Sequence, residues 1–255
     1  MILEKGKEIS DMFAITETFA EFIDLYKNRF EKRKYFIINE KFEFIKKEPS
    51  FILELAYIYY KIKDKKIEDI IKEEFSNTYK EKDKRIDRMS KLEKEKLKES
   101  FRRSLVNKDT VHSVKLGNEI FHRNKDEFFE IMYKFSLISA DCNKLIKTFF
   151  MEILLENMEK SFKNRSWTDE IIRNTVNYFV KSESEFINYS DEKNVQYFVE
   201  NKVDLLYEVI YIKKYDEIIK KYNIDNMPKI KFKTDNGKYE EMSQSKQYLY
   251  SYLKK

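Results

Sequence analysis

Few side chains in this sequence have the type and spacing that chemistry needs. Glu119-Ile-Phe-His122 comes nearest to a metal motif, since a carboxylate and an imidazole three residues apart share one face of a helix. A di-iron centre in a helical bundle takes a second Glu-x-x-His and two further glutamates, and His112 has Asp109, not a glutamate, three residues before it. Two histidines and one cysteine also fall short of a Cys/His zinc set. Cys142 lies on the apolar stripe of an expected helix, where cysteine serves as a small core residue rather than a thiolate nucleophile.

The closely spaced arginine and histidine of all-helical ribonucleases are absent. Eight residues separate Arg103 from His112, and no arginine lies in the corresponding window before His122. Carboxylate pairs such as Glu152/Glu156 and Asp169/Glu170 are ordinary helix-surface and capping features in a chain with 46 acidic residues. No catalytic residue, metal or cofactor is expected. The sequence reads as a binding protein, not an enzyme.

The elements that would position any site follow from how little punctuation the chain has. Three glycines and two prolines in 255 residues leave too few turns for a sheet protein. They also remove glycine-rich phosphate loops and nucleophile elbows. The expected fold is all-α: a globular bundle of about eight to ten helices in residues 1–227, followed by a β-hairpin and a short helix in 228–255. Aromatic residues, with 21 Phe and 18 Tyr, supply the core.

A first helix is expected over 8–31, whereas 35–47 suits helix and strand equally. Pro49–Ser50 opens a helix whose first turns, Phe51–Tyr60, are apolar all round and so buried; a short charged helix follows around 65–80. Asp109 or Thr110 and Asn124 are expected caps, the first for a helix stopping near Gly117 and the second for one over 125–139. A central helix over 141–162 comes next, then one capped by Ser166 with Trp167 stapling its entry, and one long helix over 191–221. Asn236–Gly237 between short alternating runs is a hairpin signal, and a last helix is expected over 243–253.

Charge is distributed unevenly. Residues 61–108 carry 17 basic and 11 acidic side chains, residues 109–200 carry 12 and 16, and residues 201–255 carry 12 and 8. The segment 80–108 is weakly apolar, and as a single helix over 84–103 it could project from the bundle. On it Lys84, Arg88, Lys91, Lys98 and Arg102 fall within about 40° of one direction, with Ile86, Met89, Leu97 and Phe101 roughly opposite. Ser90 with Glu93 offers a capping box that would break this helix. Lys84, Arg88, Lys91, Lys98, Arg102 and Arg103 are the candidate contact residues. Lys229, Lys231, Lys233 and Lys238 form a secondary basic wing on the hairpin.

Such a strip suits a nucleic-acid backbone or an acidic or nucleoprotein surface. A solvated face, rich in lysine because the genome is, is the ordinary alternative. Abundant Lys, Ile, Asn, Tyr and Phe with scarce Gly, Ala and Pro point to a low-GC genome. An accessory or inhibitor carried by a phage or other mobile element fits that origin. The alternative function is a protein–protein scaffold or regulator using an aromatic-rich helix such as Phe51–Tyr60. One cysteine permits no intrachain disulfide, the N-terminus lacks a signal-like apolar stretch, and 135–155 carries Asp141, Lys144, Lys147 and Glu152. A cytoplasmic protein without membrane contact is expected.

Overall fold

The computed structural model describes residues 16–27, 30, 36–38, 44–46, 48–76, 90–161, 165–182, 185–224, 230–232 and 238–255. Among them are eleven α-helices, one turn of 3₁₀ helix and two short strands. The chain divides into two compact units, 1–84 and 85–255.

In the first unit, α1 spans Phe19–Tyr26. Thr18 and Glu21 form a reciprocal capping box that leaves Thr16 outside this helix, and the 8–15 part of the expected first helix lies outside the described residues. The ambiguous 35–47 stretch resolves as an antiparallel pair, β1 (Phe36–Ile38) and β2 (Phe44–Lys46), with Ile37 opposite Ile45. Helix α2 (Ile52–Ile62) is buried throughout its first turns, as its uniformly apolar sequence requires. Its start is held from outside: the Glu74 carboxylate accepts from the Ser50 hydroxyl and the Phe51 N–H at 3.0 and 3.1 Å. Glu74 belongs to α3 (Lys65–Ser76), which packs against α2.

In the second unit, α4 (Lys94–Val106) and α5 (Thr110–Arg123) form a hairpin that α8 (Arg165–Lys181) covers. Asp109 caps α5, accepting from the His112 N–H at 3.1 Å. The helix does not stop at Gly117 but runs through it. A Cβ there would lie 3.1 Å from the Phe101 ring and 3.4 Å from Val176, so glycine lets α4 and α8 close on α5. Asn124 caps α6 (Lys125–Ile138), as expected. The central helix is α7 (Asn143–Ser161), packed by α6, α8 and α10. Ser166 lies inside the first turn of α8 instead of capping it, and Trp167 is buried there.

Residues 191–221 form two helices, not one: α9 (Glu192–Lys202), capped by Asp191, and α10 (Leu205–Lys221), capped by Asp204. Asp204 accepts from the Tyr207 N–H at 2.9 Å and pairs with Lys246 at 2.7 Å, which ends helical continuity at Val203. Helix α11 (Gln244–Lys254), capped by Ser243, packs on α10.

The expected C-terminal hairpin is not formed by its described flanks, and its Asn236–Gly237 turn lies outside the described residues. Ile230 donates its N–H to the Tyr211 hydroxyl, and the Phe232 ring packs on Tyr207 and Tyr211, so this flank is spent on α10 and not on a partner strand. On the other side, Tyr239–Glu241 is a 3₁₀ turn leading into α11.

The charges along 135–155 are all accommodated inside the protein. Asp141 accepts from the Tyr178 hydroxyl at 2.5 Å, Lys144 lies over the Phe179 ring, and the fully buried Lys147 reaches Asn174. Glu152 accepts from Tyr133, Lys221 and Tyr222. Among the described residues no helix is long and apolar enough to cross a membrane.

Candidate anion-binding surface around the fourth helix

The segment entering α4 is fixed by a clasp from α5. Glu119, 2 % exposed, accepts from the Ser90 N–H and hydroxyl, both at 2.8 Å, and pairs with Arg123. The Arg123 guanidinium also donates to the Leu92 and Ser90 carbonyls at 2.7 and 2.8 Å. Residues 90–93 are non-helical, and α4 begins after Glu93 with no side-chain cap bond.

The single helix over 84–103 is thus not formed, and neither is the Ser90/Glu93 capping box. Lys84 and Arg88 lie outside the described residues. Lys91 is exposed on the non-helical segment. Lys98 does not face outward, because Leu97, Phe101, Ser104 and Leu105 make the buried face of α4 wide enough to flank it. Its side chain is 13 % exposed and lies 3.9 Å from Glu127 and 3.7 Å from Glu95. Glu127 also binds Lys94, and this contact holds the Lys94 ammonium above the usual lysine range. Arg103 is 75 % exposed and paired with Glu99 at 2.7 Å.

Seven basic and three acidic side chains remain in 90–108. Of the basic ones, Lys91, Lys96, Arg102 and Lys108 have no carboxylate partner among the described residues. Lys96 and Lys108 are additions to the candidates read from sequence. Lys96 lies off the stripe read along 84–103, and Lys108 lies beyond it, past the end of α4.

Between α4 and the α5–α6 junction lies a cleft of about 170 Å³ lined by Lys94, Leu97, Lys98, Ile120, Arg123, Asn124 and Glu127. Its three cations are paired over an apolar floor, Lys94 and Lys98 with Glu127 and Arg123 with Glu119.

The remaining sequence candidates do not converge. Glu119 is occupied by the clasp, and His122 pairs with Asp169 on α8 at 2.8 Å. Cys142 is buried, donates to the Lys202 carbonyl, and has its thiol pushed well up by burial and by the neighbouring Asp204 and Asp141 carboxylates. Among the described residues no group of three or more His, Cys, Asp or Glu side chains could hold a metal ion. Of the basic wing, Lys229 and Lys233 lie outside the described residues. Lys231 is exposed, and Lys238 is exposed beside Glu241 at 3.6 Å. Compared with known proteins, the chain matches no family model, no curated protein and no solved structure.

Proposed function

We propose that this is a non-enzymatic binding protein that docks the α4 region against a nucleic acid or the phosphate-bearing face of a nucleoprotein complex. The observation carrying this reading is the set of cations on 90–108 that no carboxylate among the described residues neutralises: Lys91, Lys96, Arg102 and Lys108. Lysine and arginine gain affinity for phosphate backbones by releasing condensed counterions, and only cations free of internal partners contribute fully. The clasp through Glu119 and Arg123 fixes the backbone carrying Lys91, and Glu127 absorbs Lys94 and Lys98. The contact face therefore lies on the outer and flanking sides of α4.

The aromatic scaffold alternative has less to rest on. Phe51–Ile58 are buried, leaving Tyr59 and Tyr60 half-buried as the accessible part of that helix. The test is titration of the whole protein, and of Lys96→Glu/Arg102→Glu, against DNA, RNA and heparin. Reversing two contact charges is expected to weaken binding at least tenfold, similarly for all sequences. Unchanged affinity in the variant removes α4 from the interface.

A further inference from the structure

The turn joining α2 to α3 in the first unit carries a second cationic surface. Its sequence is Tyr59-Tyr60-Lys61-Ile62-Lys63-Asp64-Lys65-Lys66, which places four lysines in six residues. All four are exposed, and none has a carboxylate partner among the described residues. The one acid, Asp64, is used locally: its carboxylate accepts from the Lys66 N–H at 2.9 Å at the start of α3. Two aromatic rings lie under the lysines. Lys63 Nζ is 5.3 Å from the Tyr59 ring centre and 4.5 Å from that of Tyr60, and the two rings meet edge to face.

Base composition alone does not account for this placement. A low-GC genome favours glutamate and asparagine codons as well as lysine, yet Lys65 and Lys66 occupy the first turn of α3, where acids are preferred and cations oppose the helix dipole. Four like charges without partners also repel one another. An anionic partner relieves both costs. We infer that this turn is a docking site for a single-stranded stretch of nucleic acid, with Lys61, Lys63, Lys65 and Lys66 along the phosphodiester backbone and the half-buried Tyr59 ring beside them for an unpaired base.

Three observations favour this occupant. Ammonium groups interleaved with half-buried tyrosines match the combination of charge and stacking that single strands use. An acidic protein would need no ring faces. A lipid surface would ask for more apolar area than Ile62, 45 % exposed, presents. The site belongs to the first unit and does not depend on the α4 reading.

The test is fluorescence anisotropy of labelled oligothymidine and oligouridine with the whole protein across a salt series. Four variants are compared: Lys65→Glu/Lys66→Glu, Lys63→Asn, Tyr59→Ala, and the α4 variant Lys96→Glu/Arg102→Glu. The double reversal on the turn should lower affinity at least tenfold and reduce the salt slope by about 1.4, since each phosphate of a single strand that is no longer neutralised removes roughly 0.7. Lys63→Asn should weaken binding severalfold, and so should Tyr59→Ala.

The fold is controlled internally. Acids suit the first turn of α3, and asparagine suits the left-handed backbone of Lys63 (φ 55°) better than lysine does. Those two variants should therefore melt no lower than the parent. Loss of affinity at unchanged or raised melting temperature supports the inference. Full affinity in the turn variants overturns it, and if the α4 variant alone loses binding, the α4 reading survives without it. Binding to anionic vesicles or polyglutamate, with none to oligonucleotide, overturns it in favour of those partners. Absence of binding to any probe overturns both readings.

Discussion

Glu119 ties Ser90 to Arg123 while almost wholly buried, so its removal strands several polar groups at once. Glu119→Ala is expected to cost about 2–4 kcal/mol in urea denaturation, because the Ser90 N–H loses its acceptor and the Arg123 guanidinium its counter-charge. Ser90→Ala keeps the backbone bond and should cost only about 1 kcal/mol. The sequence marks Glu119 only through its spacing to His122, which falls short of a metal motif. Its actual partner, Ser90, lies 29 residues away, a separation no local pattern reports. Glu152 is the second carboxylate whose environment matters. Burial pushes its carboxyl up, but hydrogen bonds from Tyr133, Lys221 and Tyr222 together with the Lys221 charge outweigh that and leave it below the ordinary range. A group depressed in the folded state stabilises the protein above its unfolded value and loses that contribution as pH falls through the folded one. Stability should therefore drop as pH is lowered below about 4.5, the ordinary glutamate value. Glu152→Gln should lower stability at neutral pH and flatten this acid limb, as read by denaturation midpoints across pH.

Among the helices, Gly117 sets how closely α4 and α8 approach α5. Gly117→Ala gains about 1 kcal/mol of helix propensity, but its methyl meets the fully buried Phe101 ring, which also stacks on Phe128. The substitution should be neutral to mildly destabilising, whereas Gly117→Val should cost about 2–3 kcal/mol by overpacking. Equal melting of both variants and the parent would contradict this close approach. Two caps were legible in advance: Asp109 and Asn124 each bond an N–H three residues on, as their sequence signals suggest. The break at Val203–Asp204 was not, because apolar spacing continues across it and the distant Lys246 helps hold Asp204. The hairpin expectation failed for a related reason. Turn chemistry near Asn236–Gly237 is local, whereas the demand of Tyr207 and Tyr211 for Phe232 is tertiary. The stretch 35–47 could be settled only by pairing, since Ile37 and Ile45 become neighbours in the sheet alone.

Over the full chain the net charge is +5. Many acids are bound within the fold: Glu119, Glu127, Glu152, Asp141 and Asp204 each engage a defined donor or cation. Among the described residues two cationic groups have no carboxylate partner, Lys91, Lys96, Arg102 and Lys108 in the second unit and Lys61, Lys63, Lys65 and Lys66 in the first. Composition revealed the excess of lysine in 61–108 but not which cations carry it outward, because neutralisation by Glu127 and the clasp on Ser90 are tertiary. The most direct measurement is the dependence of oligonucleotide affinity on salt for the whole protein. The account predicts a linear fall of log affinity with log salt, with a slope between about −2 and −5 for a single strand, and a shallower slope when either cationic group is reversed. No measurable binding at low salt, or an affinity that does not change with salt, would contradict it.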